Sequence, residues 1–257
     1  MAVQLHNSIT GSHLPQRIER KFYLIPKNIG PAYGLLRHIC YLDTEYPQEQ
    51  INSLYFDTAD LDQHTKSLSG DFRKDKVRIR WYGKNNYLNG TETAFIELKT
   101  RQGFASTKQR LKLQVPAENT STHRLSDGIV TKTLLRDTLA GFGYFPPEPL
   151  QPVIKISYWR YRFREVLTGQ SVALDCHIRS TIISRELGNG EKELELSGGV
   201  IEIKGTTVEL PLTLRRVRIL DIDWSRFSKY SSCLESHLLE NGIEGNVWPS
   251  GMLIETK

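Results

Sequence analysis

Residues 200–205 read VIEIKG. Val200, Ile201 and Ile203 are strong β-formers, so the stretch reads as a strand. Side chains alternate along a strand, which puts Glu202 and Lys204 on one face and the isoleucines on the other. Whichever of those faces turns inward decides the fold.

The same division recurs along the chain. Across 17–24, Arg17, Glu19, Lys21 and Tyr23 share a face. Arg78 and Arg80 oppose Val77, Ile79 and Trp81, and in FIELK (95–99) Glu97 and Lys99 oppose Ile96 and Leu98. Lys108, Arg110 and Lys112 oppose Leu111, Leu113 and Val115, and in ALDCHIRS (173–180) Asp175, His177 and Arg179 oppose Leu174, Cys176 and Ile178. In 152–165, Arg160, Arg162 and Arg164 share a parity with Ile154 and Ile156, which calls for a bulge or for one end emerging into solvent.

The periodicity predicts strands over 17–25, 51–58, 76–83, 93–100, 107–115, 152–165, 170–180 and 199–205, with 191–197 a ninth candidate. Turn chemistry at 83–92, 101–106, 167–170 and 186–191 implies antiparallel pairing. Helices are expected over 27–40, near Pro31, over 128–140, ending at Gly141, and over 225–241, opened by a capping serine. Residues 1–16 read as a flexible lead-in and 17–257 as one domain: an α+β fold, an eight-stranded antiparallel β-barrel with flanking helices.

Amphipathic strands ordinarily keep their charges in water. Two features of this set favour the reverse. Each strand supplies Arg or Lys, and three pair it with one glutamate two residues away: Glu19/Lys21, Glu97/Lys99 and Glu202/Lys204. The apolar faces also need cover, and helices are present to provide it. With the charged faces inside, unpaired buried cations would each cost several kcal/mol. Such an interior calls for a polyanionic ligand, and its few carboxylates suggest a divalent metal bridging protein to phosphate.

Composition sets outer bounds. The 257 residues carry a formal net charge of +5, compatible with an anionic partner of any class. Three scattered cysteines, Cys40, Cys176 and Cys233, fit free thiols in a reducing compartment, and the first residues lack a secretory pattern. No run of about 18 apolar residues occurs. A cytoplasmic protein without a membrane span is expected, and oligomeric state is left open.

The stretches IERKF (18–22), SLYFDT (53–58), KVRIRWYG (76–83), FIELK (95–99), VIEIKG (200–205) and FSKY (227–230) occur in the order seen in the catalytic domain of the vacuolar transporter chaperone (VTC) family. The resemblance spans roughly 17–235, nearly the whole chain. It implies a triphosphate tunnel with Mn²⁺ or Mg²⁺ that extends polyphosphate from the γ-phosphoryl of ATP. It further implies that Lys21, Arg78, Arg80, Lys99, Arg160 and Arg179 clamp phosphate oxygens, with Lys229 and Ser228 reaching in from the last helix. Lys108, Arg110 and Lys204 fit phosphate contacts by parity. Glu202 would be the metal carboxylate, with Glu19 and Glu97 as second candidates. Eukaryotic members add an inositol-phosphate-sensing domain and a membrane region, neither of which is read in these residues.

Three outcomes stay open at this level: a polymerase acting on ATP, triphosphate and polyphosphate, a hydrolase in the same tunnel, or a non-catalytic polyphosphate binder. Nucleic acid is not expected, because Trp81 and Trp159 fall opposite the flanking arginines. Asp57 and Asp175 are expected to pair with arginines, and Tyr55 and Tyr158 to pack.

Overall fold

Four apolar side chains, two on the first strand and two on its neighbour, show how the layers are arranged. In β1 (Ile18–Leu24), Phe22 and Leu24 are buried on the outer face, under α1 (Ile29–Ile39) and a 3-10 helix over Leu214–Leu220. Ile201 and Ile203 of β10 (Gly199–Gly205) join the same cluster. The computed structural model describes residues 18–83, 91–103, 105–116, 130–188, 192–207 and 209–240. The expected lead-in lies outside them.

The remaining strands are β2 (Cys40–Leu42), β3 (Gln48–Asp57), β4 (Arg73–Tyr82), β5 (Thr91–Gln102), β6 (Ala105–Pro116), β7 (Gln151–Glu165), β8 (Ser171–Ile182) and β9 (Glu193–Leu196). Their hydrogen-bonded order is β1-β10-β8-β7-β3-β4-β5-β6, with β2 on β7 and β9 on β8, and every pairing is antiparallel. Val77, Ile79, Ile96, Leu98 and Leu113 form a second outer cluster with Leu135 and Leu139 of α3 (Lys132–Gly141). The apolar faces therefore do point outward to helices.

The expected closed barrel is corrected to an open, curved sheet. Among the described residues no backbone ladder joins the edge strands β1 and β6. Side chains span the gap instead: Lys99 of β5 reaches Glu19 of β1 at 2.6 Å. Lysines along the inner row of β6, Lys108 and Lys112, also disfavour edge pairing. The result is a trough with one seam.

A third apolar cluster lies inside the trough, which the sequence pattern does not show. Ile154, Ile156, Ile178, Ile182 and Val200 pack against Tyr230, Cys233, Leu234 and Leu238 of α4 (Lys229–Glu240). The mixed parity of β7 follows from this. Its inner face is apolar where α4 covers it, charged at Arg160, and continues toward solvent as Arg162 and Arg164, paired with Glu49 (2.6 Å) and Asp43 (3.4 Å). A bulge also occurs, at Val153, where the register against β3 shifts.

Local differences from expectation have local causes. α4 begins at Lys229, not near Ser225, because Ser225 is held extended against β1 by its N–H donating to Lys21 O at 2.9 Å. Ser228 is the cap, its Oγ accepting from Ser231 N at 3.2 Å. Helix α2 (Asp62–Ser69) goes unseen in the sequence, being short and polar. Asp57 organises it by accepting from the N–H groups of Thr58, Gln63 and His64 and from the Tyr230 hydroxyl. The expected Asp57–arginine pair is thus replaced by a helix cap. All three cysteines are free and buried.

Candidate functional site

Register places the charges of the inner face side by side. Lys21 stands opposite Glu202, and Glu19 opposite Lys204, on β1 and β10. Arg160 of β7 stands opposite Asp175 of β8. On the far wall Arg78 faces Glu97, which faces Arg110 in turn. Two ion clusters result.

The first is centred on Glu202, which is 5% exposed. Its Oε2 accepts from Arg160 Nη2 at 2.6 Å and its Oε1 from Lys229 Nζ at 2.9 Å, while Lys21 lies 3.9 Å away. Arg160 also grips Asp175 with two bonds of 2.6 and 2.7 Å, and Lys229 reaches Asp175 at 2.5 Å. The expected Asp175–arginine pair is therefore present. Burial alone would raise the Glu202 carboxyl, but Lys229, Arg160 and Lys21 hold it well below the usual range. Burial opposes the Lys229 charge, yet Asp175 and Glu202 raise its pKa above the ordinary lysine value.

The second cluster is centred on Glu97, which has no solvent exposure. Arg78 donates to it at 2.9 and 2.7 Å and Lys108 at 3.3 Å. These cations and Arg80 outweigh the burial penalty and keep its carboxyl ionised well below the usual range. Arg80 is buried and donates to Ser53 Oγ (3.2 Å) and Tyr158 OH (3.3 Å). Tyr55 accepts from Arg78 at 3.2 Å and stacks on Tyr230, centroids 5.0 Å apart. Both tyrosines thus pack and also orient arginines. Arg110 lies over the Phe95 ring, 4.8 Å from its centroid.

Between the clusters, Lys99 binds Glu19 at 2.6 Å and Lys204 lies 3.8 Å from Glu19. Burial lowers the Lys204 ammonium to about 8, despite Glu19 and Glu202 nearby.

One residue was missed by the sequence reading. Lys76 shares the inner parity of Arg78 and Arg80 and donates to Ser228 Oγ (2.5 Å) and Ser67 Oγ (3.1 Å). Among the described residues no carboxylate pairs with it. Its pKa lies well below the ordinary value, from burial first and then from Lys21, Lys99, Lys74 and Arg78. Its place in KVRIRWYG carried the signal, one strand repeat before Arg78.

One expected clamp is elsewhere, and this is a correction. Arg179 lies on the outer face, paired with Glu195 (3.1 Å) and Glu193 (3.7 Å) of β9. His177, at φ +50°, forms a bulge opposite Tyr158 and reverses the alternation of β8 beyond it. His177 itself is turned outward to Glu195 at 3.0 Å.

Chemically, the trough presents Arg and Lys in excess of carboxylates. Among the described residues, Lys21, Lys76, Arg78, Arg80, Lys99, Lys108, Arg160, Lys204 and Lys229 face only Glu19, Glu97, Asp175 and Glu202. Arginine forks suit bidentate phosphate contact and lysines act as point charges.

A search of curated proteins returns no match. A solved structure from Bacillus halodurans, provisionally named an adenylate cyclase, is similar over 92% of this chain and 95% of its own, at 16% identity and TM-score 0.43. A Vibrio parahaemolyticus protein under the same provisional name covers 86% and 98%, at 12% identity and TM-score 0.44. Likenesses this distant say nothing of activity. The family model described as the VTC domain, in contrast, matches residues 16–238, from the strand that carries Glu19 and Lys21 to the helix that carries Lys229. The chain belongs to the VTC-domain family.

Proposed function

We propose that the trough binds the triphosphate of ATP and transfers its γ-phosphoryl group to a growing polyphosphate chain. The observation that carries the reading is Lys76, a cation set among Lys21, Lys99 and Arg78 whose partners among the described residues are two serine hydroxyls and the Tyr230 ring, none of them anionic. A site that keeps such a group without a counter-charge is built for an anion. Family membership supports the same reading.

The roles follow from position. Lys21, Lys76, Lys99 and Lys204 hold phosphate oxygens as point charges. Arg78, Arg80 and Arg160 offer guanidinium forks oriented by Glu97, Ser53, Tyr158 and Asp175. Lys229 and Ser228 enter from α4, and Lys108 and Arg110 line the open edge. A terminal oxygen of the acceptor chain attacks the γ-phosphorus, the bond to the β-bridging oxygen breaks, and ADP leaves with that oxygen's electron pair. Positioning and charge stabilisation supply the rate, and no protein nucleophile is required.

The fit to a divalent ion can be judged from its donors. Among the described residues no three His, Cys, Asp or Glu side chains gather into a cage. Glu19 and Glu202 do stand as diagonal neighbours on one face, each already held by cations. That suits Mg²⁺ or Mn²⁺ shared with phosphate oxygens and water, and Glu97, in the other cluster, is not part of it. Such an ion, when bound, would neutralise charge on the bridging oxygens.

The test is incubation of purified protein with ATP and Mn²⁺ or Mg²⁺, with products resolved on a polyphosphate gel. A ladder is expected. Orthophosphate alone would replace the polymerase reading with a hydrolase, and tight tripolyphosphate binding without turnover would leave a binder only.

A further inference from the structure

The bulge at His177 has a consequence on the other side of the sheet. Strict alternation would place Arg179 in the inner row with Asp175. The positive φ of His177, strained for a residue with a Cβ, turns Arg179 outward instead. Strain of this kind persists where the surrounding structure holds it, commonly beside a ligand.

Arg179 lands in a polar cleft of about 400 Å³ on the outer face. That volume is within the usual range of small-molecule sites, roughly 300–1,000 Å³. The cleft lies on β3, β7 and β8, on a strip that neither outer apolar cluster includes. Register fixes the arrangement of its floor. Asn52, Ser157 and Arg179 stand abreast on the three strands, and Gln50 stands opposite Trp159 in the adjoining row. Trp159 is 38% exposed there.

The chemistry of these groups points to one ligand class. An exposed indole on a rigid sheet is a stacking platform for a planar ring. The carboxamides of Asn52 and Gln50 have no hydrogen-bond partner among the described residues, and a carboxamide reads the edge of a purine through paired donor and acceptor. Glu193 and Glu195 answer Arg179, and Glu195 also answers His177. Lys155, beside Ser157 on β7, has no carboxylate partner among the described residues and so is the cation of the cleft placed to meet an anion.

We propose that this cleft is a mononucleotide site, separate from the trough. The base stacks on Trp159, its edge is read by Asn52 and Gln50, and the phosphate lies on Lys155 with Arg179. The sheet itself separates the two sites, because along β7 the inward-pointing Tyr158 and Arg160 alternate with the outward-facing Ser157 and Trp159.

Isothermal titration of the full chain with AMP, in the presence and absence of tripolyphosphate, tests this. One AMP per chain is expected, with affinity unchanged by tripolyphosphate. Trp159→Ala should weaken it tenfold or more and Lys155→Ala several-fold, each with an unaltered circular dichroism melt, while Glu202→Gln leaves it intact. Absence of AMP binding at millimolar concentration overturns the proposal. So does competition by tripolyphosphate, or binding indifferent to both Trp159→Ala and Lys155→Ala. Binding of a neutral saccharide in place of AMP overturns the ligand class.

Discussion

Glu202 accepts from Arg160 and Lys229 at once, so its removal changes the charge balance of the cluster and, under the proposed function, the metal site with it. Glu202→Gln is expected to lower ATP turnover by about a hundredfold or more while tripolyphosphate affinity holds or rises. Turnover near the wild-type rate would remove Glu202 from the metal site. Lys76→Met should act in the opposite sense on stability and function. It removes a cation crowded by Lys21, Lys99 and Lys74, so the ligand-free protein gains ~1 kcal/mol in a urea melt, while tripolyphosphate affinity drops about tenfold. A destabilised variant would contradict that account of Lys76. Lys204 sets a pH window. Its folded pKa of about 8 lies below its ordinary 10.5, so between those values the unfolded chain binds more protons and the stability from this group rises with pH. Below pH 8 that dependence vanishes. Tripolyphosphate affinity should move the other way, falling as pH rises through 8, and Lys204→Gln should flatten the profile. At this scale the glutamates and most of the cations were legible from strand parity. Lys76 was legible by the same rule, but its lack of a carboxylate partner is a property of the assembled walls.

Elements show where parity fails. One residue at φ +50° reversed β8, turning Arg179 from expected clamp to outer-face residue. No local pattern in ALDCHIRS marks the bulge, since histidine enters positive φ more readily than most side chains but still far too seldom, compared with glycine, to signal one. His177→Gly should therefore stabilise the fold by ~1 kcal/mol in a thermal or urea melt, since the exposed pair with Glu195 contributes little. A loss of stability would mean that the imidazole contact outweighs the strain. The last helix shows a similar limit. Its span was close, but its start moved from Ser225 to Lys229, because pairing of Ser225 with β1 is a long-range contact. That shift makes Ser228 both cap and partner of Lys76. α2 was invisible because its cap comes from Asp57, at the end of β3, and it has little apolar periodicity.

For the whole molecule the charge arrangement makes a global prediction. A trough with more cations than carboxylates repels itself when empty, so salt should raise the melting temperature modestly by screening. Tripolyphosphate at a hundred times its Kd should add about 2.7 kcal/mol, a rise of ~5–10 °C for a chain of this size. A melting temperature indifferent to tripolyphosphate would leave the trough without its proposed ligand. The alternation of VIEIKG and its sister strands determined that each strand carries one charged and one apolar face, because a period of two depends only on neighbouring residues, and the turn residues between them determined the antiparallel pairing. Tertiary structure alone decided that the sheet stays open at the β1–β6 seam and that α4 covers an apolar half of its interior. It also decided that Arg179 leaves the trough and that Lys76 stands without a counter-charge among the described residues. Each of these depends on groups far apart in the chain, which no local pattern records.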